Sequence, residues 1–164
     1  MKIVFFLSDG FENSYNGTGQ GSEILTWEYL CLNFGADTLC LIDLTTNKIA
    51  KNFRKAEIDI KIKYEYYTGL EEIENKYKGS SFIYMESKPV LEKNQVKFTW
   101  LEEFVHPDNA IYVVGSDYNK FVLTDYVNDY QNKTWVSIKT IRKYLWSYMA
   151  MGIVLYDRLI KGNL

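Results

Sequence analysis

The sequence contains little proline, cysteine or histidine. Two prolines among 164 residues exclude a proline-rich adaptor. The two cysteines, Cys31 and Cys40, are too few and too closely spaced for a disulfide framework, so we expect a reducing compartment, the cytoplasm. The single histidine, His106, has no second histidine or cysteine pair with which to form a metal site, so we expect no metal.

Long apolar runs are also missing. The run from Ile3 to Leu7 superficially resembles the start of a signal peptide, but no small-residue cleavage site follows it, and it predicts a buried strand instead. The longest apolar stretch, Leu145 to Tyr156, is shorter than the roughly 20 residues that cross a bilayer. We therefore expect a soluble protein with no membrane partner.

Apolar and aromatic side chains are abundant. Hydrophobic residues make up 47% of the chain, aromatic residues 16% and charged residues 24%, with a net charge of −2. This composition supplies enough apolar surface for a core and excludes disorder. Since no linker, repeat or low-complexity segment interrupts the chain, we expect one domain over residues 1–164.

Short apolar runs alternate with segments of helical periodicity. This alternation predicts an α/β fold, with a mostly parallel sheet and helices on both faces. The segment from Ile58 to Tyr64 alternates apolar and polar residues, which predicts a half-exposed strand at a sheet edge. The buried strands are predicted at Ile3–Leu7, Thr38–Asp43, Phe82–Met85, Ala110–Val114 and Thr134–Ile138.

Three segments have the periodicity of helices. The first spans Ser22–Phe34, with Ser22 as its N-cap and Gly35 directly after its end. The others span Thr68–Lys78 and Thr140–Ile160, and the last is apolar on more than one face. Because one sheet covers only one side of a helix, we expect a homodimer that packs through this C-terminal helix.

Basic residues concentrate in two zones. Residues 48–63 hold six basic against two acidic residues, and residues 131–161 hold six against one. Clustered lysine and arginine favour a polyanion such as RNA. Solvated helix faces give the same pattern, so both interpretations stay open.

A glycine-containing loop, Asn16 to Gly21, precedes the first predicted helix. Its glycines allow close approach of a ligand, and a helix N-terminus favours an anion. The loop lacks the Lys-Ser/Thr of a phosphate-binding loop, and Ser22 stands where a dinucleotide motif needs its third glycine. A flexible turn is the alternative.

No conventional catalytic set is present. His106 is predicted to be a loop residue, and both cysteines fall in predicted elements where small buried hydrophobes are common. Serine, histidine and aspartate all occur, but no spacing among them indicates a triad.

Four segments in order resemble the SPOUT superfamily of knotted RNA methyltransferases. Residues 33–43 resemble the helix-to-strand segment after its first motif, and 110–117, Ala-Ile-Tyr-Val-Val-Gly-Ser-Asp, resemble its second. Residues 135–138 resemble the strand before the cofactor loop, and Leu145 with 149–156 resembles the final helix. The resemblance covers nearly the whole chain.

The resemblance implies a C-terminal trefoil knot whose loops hold S-adenosylmethionine. Family contacts to the cofactor come largely from backbone and carry over to Val114, Gly115, Ile138, Thr140 and Leu145. For Gly115 a turn glycine is the alternative, and for Ile138 and Leu145 plain core positions.

This sequence differs from the family at the polar residues of the family's motifs. The first-motif arginine is missing from the predicted first helix, where Tyr29 is the nearest position, and the second-motif glutamate is Asp117. The third-motif serine and asparagine correspond to Tyr144 and Trp146. The candidate catalytic residues are therefore Asn16, as a displaced first-motif asparagine, Asp117, and Arg142 as a substitute cation.

Three functions follow. The first is an S-adenosylmethionine-dependent RNA methyltransferase, ribose 2′-O type by resemblance and divergent in its catalytic motifs. The second is a catalytically inactive homodimer of the same fold that binds RNA or protein. The third is a flavodoxin-like nucleotide-binding domain using the Gly17–Gly21 loop, which leaves the C-terminal resemblance unexplained.

Overall fold

A parallel β-sheet forms the centre of the computed structural model, which describes residues 1–7, 20–44, 62–116, 121–142 and 145–162, with backbone alone for 20–25. The described strands are β1 (Lys2–Leu7), β2 (Thr38–Asp43), β3 (Lys63–Tyr67), β4 (Ser81–Met85), β5 (Thr99–Trp100), β6 (Ala110–Val114) and β7 (Thr134–Ser137). The described α-helices are α1 (Gln20–Phe34), α2 (Leu70–Lys76), α3 (Lys88–Lys93) and α4 (Ser147–Ile160). Short 3₁₀ helices span Leu101–Glu103, Leu123–Tyr126 and Tyr130–Asn132.

The strands lie in the order β3-β2-β1-β6-β4-β7-β5, and every described pair is parallel. The predicted α/β fold with a mostly parallel sheet is therefore confirmed. A flavodoxin-like sheet has its third strand beside its first, whereas here β6 lies beside β1. The trefoil knot stays a prediction.

Helices cover both faces of the sheet, as expected. The odd-numbered residues of β1 pack in a core with Trp27 of α1 and Met151 of α4. Its residues Val4 and Phe6 pack on the opposite face, with Ile73 of α2 and Leu91 of α3. Strands buried on both faces read as continuous apolar runs, which is why β1, β2 and β6 are evident in the sequence.

The C-terminal end of the first helix follows the prediction, but its beginning does not. Gly35 has a φ of +72°, and the amide of Ala36 donates to the carbonyl of Cys31 at 2.9 Å, which closes the helix. The helical backbone begins at Gln20. Ser22 therefore lies inside α1, and its prediction as the N-cap is wrong.

The last helix begins seven residues later than predicted. Trp146 is its N-cap, with extended backbone, and the described residues from Ile138 to Arg142 are not helical. The Ser147 hydroxyl donates to the carbonyl of Gly115 at 2.7 Å, which fixes the first turn of α4 at the end of β6. This tertiary contact outweighs the periodicity of 140–146. No helix in the described ranges is long and apolar enough to cross a membrane.

His106 anchors the C-terminal end of α4. Its imidazole Nε2 lies 2.9 Å from Asp157 Oδ2, and its Nδ1 lies 2.5 Å from the Tyr112 hydroxyl. Arg158 donates to the carbonyl oxygens of Pro107 at 2.6 Å and Asp108 at 3.1 Å. His106 is thus a buried loop residue that anchors a helix, in agreement with its prediction as a loop residue.

Both cysteines are buried and free. Burial raises the pKa of each thiol to about 12, and neighbouring carboxylates act in the same direction. The expectation that they behave as small hydrophobes is therefore confirmed.

The described edge strand extends three residues past the end of the predicted one. β3 spans Lys63–Tyr67 and pairs with β2 at one end of the described sheet, whereas the predicted strand covers 58–64, of which 58–61 lie outside the described residues. Glu65, only 7% exposed, links this edge strand to α2 through side-chain contacts. Its carboxylate lies 2.7 Å from Lys63 Nζ and 3.0 Å from Lys76 Nζ, and it accepts hydrogen bonds from the Tyr67 and Tyr77 hydroxyls.

A Glu65→Gln variant should unfold more easily at neutral pH than the wild type. Burial alone would raise the pKa of Glu65, but the hydrogen bonds from lysine and tyrosine hold it well below its ordinary value of 4.5. A depressed pKa stabilises the fold above pH 4.5, and this stabilisation is lost as the pH falls through the folded-state pKa. We expect a loss of about 2 kcal/mol in the free energy of unfolding at pH 7, measured by urea unfolding.

The difference between Glu65→Gln and wild type should shrink below pH 4.5. Glu92→Gln is the matched control. Glu92 is exposed, and among the described residues its one ion pair is with Lys88. That variant should unfold within about 0.5 kcal/mol of wild type. Equal free energies for Glu65→Gln and Glu92→Gln would contradict the role of this network.

Candidate active site

A cavity of about 550 Å³ lies at the carboxyl ends of three neighbouring strands, β4, β6 and β7. The loop after β7 and the beginning of α4 complete its wall. In parallel α/β sheets, ligands bind at this edge, and small-molecule sites have volumes of about 300–1,000 Å³. The cavity therefore has the place and the size of a binding site for a small organic molecule.

All five predicted cofactor contacts line this cavity. Val114 and Gly115 come from the end of β6, Ile138 and Thr140 from the loop after β7, and Leu145 from just before α4. These residues are up to 31 positions apart in sequence, and the parallel strands bring them together. Their role in binding stays a prediction.

Of the three candidate catalytic residues, the structure describes one. Arg142 lines the cavity and is exposed, in the loop after β7 rather than at a helix start. Asn16 and Asp117 lie outside the described residues, as do Tyr144 and most of the Gly17–Gly21 loop. Trp146, which corresponds to the family asparagine, is 56% exposed.

Sequence reasoning missed the part of the cavity that follows β4. Glu86 and Ser87 lie directly after this strand, and Trp100 belongs to the edge strand β5. The available signal was the position of Glu86 at the carboxyl end of a predicted parallel strand, where polar residues face ligands. Burial raises the pKa of Glu86, although the amides of Ser87 and Leu123 donate to its carboxyl oxygens and act against the rise.

Gly115 provides room for a neighbouring aromatic ring. A Cβ added at this position would lie 2.5 Å from Cε1 of Phe121, which also lines the cavity. The Phe121 ring stacks on Tyr126, with centroids 4.5 Å apart and planes at 5°, and lies 5.1 Å from the ring of Phe6. The absence of a side chain at Gly115 therefore shapes the cavity wall.

Cations surround the exposed part of the cavity. Lys88, Lys139 and Arg142 line it, and the two lysine ammonium groups lie 5.9 and 5.3 Å from the centre of the Trp100 ring. Lys88 pairs with Glu92 at 3.4 Å, and Lys139 pairs with Glu102. This rim favours an anionic group on a ligand.

Several basic side chains of residues 131–161 form contacts within the protein. Arg158 is 5% exposed, Lys133 lies 2.8 Å from Glu74, and Lys161 bonds Asp157 and backbone carbonyls. Lys143, and the zone at 48–63 apart from residues 62 and 63, lie outside the described residues. Within the described part of 131–161, the cations with exposed side chains beside the cavity are Lys139 and Arg142.

The residues of the cavity fit S-adenosylmethionine. Its apolar walls match an adenine base, and its cationic rim matches an amino-acid carboxylate. One buried hydroxyl, Ser137 Oγ, has no hydrogen-bond partner among the described residues, so a polar ligand would satisfy a group that the fold leaves open. The described residues contain no group of three or more His, Cys, Asp and Glu placed to hold a metal ion.

The fold and the cavity define a parallel α/β protein with an open cavity at the carboxyl ends of β4, β6 and β7. Solved methyltransferases share this fold. An RNA 2′-O ribose methyltransferase matches with a TM-score of 0.61 and 11% identity, over 100% of this chain and 57% of that one. The TrmH/SpoU tRNA modifying enzyme of A. aeolicus matches with a TM-score of 0.57 and 15% identity, over 99% and 76% of the two chains.

A third match was solved in complex with AdoMet. It is the SpoU methyltransferase AviRb from Streptomyces viridochromogenes, with a TM-score of 0.57 and 12% identity over 98% of this chain and 60% of that one. No protein-family model matches the chain, and no curated protein matches its sequence.

The chain shares the fold of these solved RNA methyltransferases, which bears out the resemblance in its sequence at the level of the fold. Identities of 11–15% agree with a divergent sequence. The chain spans 57% of the ribose methyltransferase and 60% of AviRb. A likeness of this kind defines architecture and leaves the chemistry to the site.

Proposed function

We propose that this protein is an S-adenosylmethionine-dependent RNA methyltransferase of the ribose 2′-O type. One observation carries the proposal: the five cofactor residues taken from the sequence resemblance all line one cavity of suitable size in a SPOUT fold. The AdoMet complex of a protein with this fold supports the choice of cofactor.

In this proposal, Val114, Gly115, Ile138, Thr140 and Leu145 hold the cofactor. When bound, S-adenosylmethionine supplies an electrophilic methyl group. Gly115 and the Phe121 ring behind it set the width of the cavity. The rim lysines, Lys88 and Lys139, attract the carboxylate end of the ligand.

Arg142 is the proposed electrostatic catalyst. A ribose hydroxyl is a poor nucleophile until its loss of a proton is stabilised. The guanidinium of Arg142 is exposed at the cavity, and its positive charge favours negative charge developing on a substrate oxygen. Asn16 and Asp117 complete the proposed catalytic set.

We also propose a homodimer that packs through α4. Large apolar residues form a stripe along one side of this helix at intervals of three or four, which we call the α4 stripe: Trp146, Met149, Ile153, Tyr156 and Ile160. The opposite side of α4 is buried against the sheet, through Met151, Val154 and Leu155. Tyr29 and Leu32 of the neighbouring α1 are exposed as well, at 62% and 41%. Exposed apolar surface of this extent favours an interface.

Binding of cofactor is the first test. Calorimetric titration of the wild-type chain with S-adenosylmethionine and S-adenosylhomocysteine should give heat and a thermal shift, with dissociation constants below about 1 mM, or 4 kcal/mol. Transfer of a labelled methyl group to RNA then tests activity. Neither heat nor thermal shift at millimolar ligand would contradict the methyltransferase proposal.

A catalytically inactive relative that binds RNA or protein is the second candidate. The observation in its favour is the absence of the family's first-motif arginine, because the exposed Tyr29 occupies the nearest position. Cofactor binding without methyl transfer, together with RNA binding in gel-shift titrations, would favour this candidate. A cytoplasmic location stays a prediction for both.

A further inference from the structure

Glu86 is a fixed carboxyl group within the cavity wall. The amide of Ser87 donates to Oε1 at 2.7 Å, and the amide of Leu123 donates to Oε2 at 3.1 Å. Its own amide donates to the carbonyl of Val136 at 3.4 Å, which holds the residue between β4 and β7. A carboxylate has about four lone-pair sites, so each oxygen of Glu86 keeps capacity for a further donor.

Two serine hydroxyls share the cavity with Glu86. Ser87 is adjacent in sequence, and Ser137, 1% exposed, ends the neighbouring strand β7. Both hydroxyl oxygens are buried, and Ser137 Oγ has no hydrogen-bond partner among the residues that the structure describes. Because buried polar groups are normally paired, the Ser137 hydroxyl points to a ligand that supplies a hydrogen bond.

The charge around the cavity selects the kind of ligand group. The rim carries Lys88, Lys139 and Arg142, which suit a carboxylate on the ligand, whereas Glu86 in the wall suits a hydrogen-bond donor. Two adjacent hydroxyls on the ligand would each donate to one carboxylate oxygen of Glu86. Burial already raises the pKa of Glu86, so added donors would offset the poor solvation of its carboxylate.

We propose that Glu86, together with Ser87 and Ser137, recognises the vicinal hydroxyls of a ribose and makes the cavity selective for ribonucleosides over their deoxy analogues. Each hydroxyl donates to a carboxylate oxygen of Glu86, and the serines supply further hydrogen bonds. This inference rests on the proposed function, because it assigns a place to the ribose of the nucleoside cofactor. Glu86 is a specificity residue and takes no part in methyl transfer.

The test compares two ligands and two variants by calorimetry. The ligands are S-adenosylhomocysteine and its analogue that lacks both ribose hydroxyls. Glu86→Gln should weaken S-adenosylhomocysteine about tenfold, because a charge-assisted hydrogen bond is replaced by a neutral one, and should leave the affinity for the analogue unchanged. Glu71→Gln, an exposed glutamate of α2 away from the cavity, is the control and should bind both ligands like the wild type.

Ser137→Ala is a second variant that removes only a hydroxyl. It should weaken S-adenosylhomocysteine about threefold and leave the analogue unaffected. Because the hydroxyl is buried and unpartnered among the described residues, its removal should also raise the unfolding midpoint of the ligand-free protein. This variant keeps the test decisive if Glu86→Gln does not fold.

The outcomes separate the inference from the proposed function. If the wild type binds S-adenosylhomocysteine and both variants lose nothing, or lose equally for both ligands, the ribose site is wrong while the methyltransferase proposal stands. If the wild type binds neither ligand at millimolar concentration, both proposals are overturned. A loss confined to the ligand with hydroxyls supports the ribose site.

Discussion

An Ile153→Asp variant should be monomeric at concentrations where the wild-type protein is a dimer. Ile153 lies at the centre of the α4 stripe and is 41% exposed. In a dimer that buries the stripe, the new carboxylate would lose its water without gaining a partner. This costs about 3 kcal/mol or more, which corresponds to a dissociation constant raised at least a hundredfold.

Val105→Asp is the matched control. Val105 is another branched apolar residue, 83% exposed, in the loop before His106 and outside the α4 stripe. Light scattering at tens of micromolar should show a dimer for the wild type and for Val105→Asp, and a monomer for Ile153→Asp. A monomeric wild type under these conditions would contradict the dimer proposal.

The proposed dimer interface and the cavity share α4 without competing for the same face. Ser147 and Ala150 line the cavity, whereas the α4 stripe lies on the exposed side. The Ser147 hydroxyl bonds the carbonyl of Gly115, so the beginning of the helix is fixed to the end of β6. Packing a second chain on the stripe would therefore restrain the wall that contains Leu145. We expect Ile153→Asp to weaken cofactor binding less than it weakens dimerisation.

The buried strands were predictable because their signal is local. β6 matches its prediction at both ends, and β2 does as well, since each is an apolar run buried on both faces. The end of α1 was predictable from Gly35, whose positive φ few other residues adopt. These features depend on neighbouring residues alone.

The elements whose bounds differ from their predictions depend on contacts distant in sequence. The start of α4 is fixed by the bond from Ser147 to Gly115, 32 positions earlier. The edge strand β3 is held by Glu65, whose partner Tyr77 belongs to the turn after α2. Periodicity carries no information about such contacts.

The candidate site was predictable in part for a similar reason. Val114, Gly115, Ile138, Thr140 and Leu145 came from segments with a family pattern, and they line one cavity. The cavity-lining residues that follow β4 belong to no segment that resembles the family. Glu86 follows a predicted strand, but its place in this cavity depends on the strand order that puts β4 between β6 and β7, which sequence alone does not specify.

A Gly115→Ala variant should lose at least tenfold in affinity for S-adenosylmethionine. The added Cβ would lie 2.5 Å from Cε1 and 2.6 Å from Cδ1 of Phe121, closer than carbon atoms can approach. The ring is packed against Tyr126 and Phe6, so it must leave this stack or move into the cavity that it lines. Overpacking of this kind costs about 1–3 kcal/mol, and thermal unfolding should show the loss.

A compensating change identifies the clash as the cause. In a Phe121→Ala background, Gly115→Ala should have little further effect on the unfolding midpoint, because the ring that it strikes is gone. Gly79→Ala is the control glycine, since no described residue beyond its two chain neighbours comes within 4 Å of its added methyl group, and it should bind cofactor like the wild type. If Gly115→Ala costs as much without the Phe121 ring as with it, the contact between these two residues does not shape the cavity.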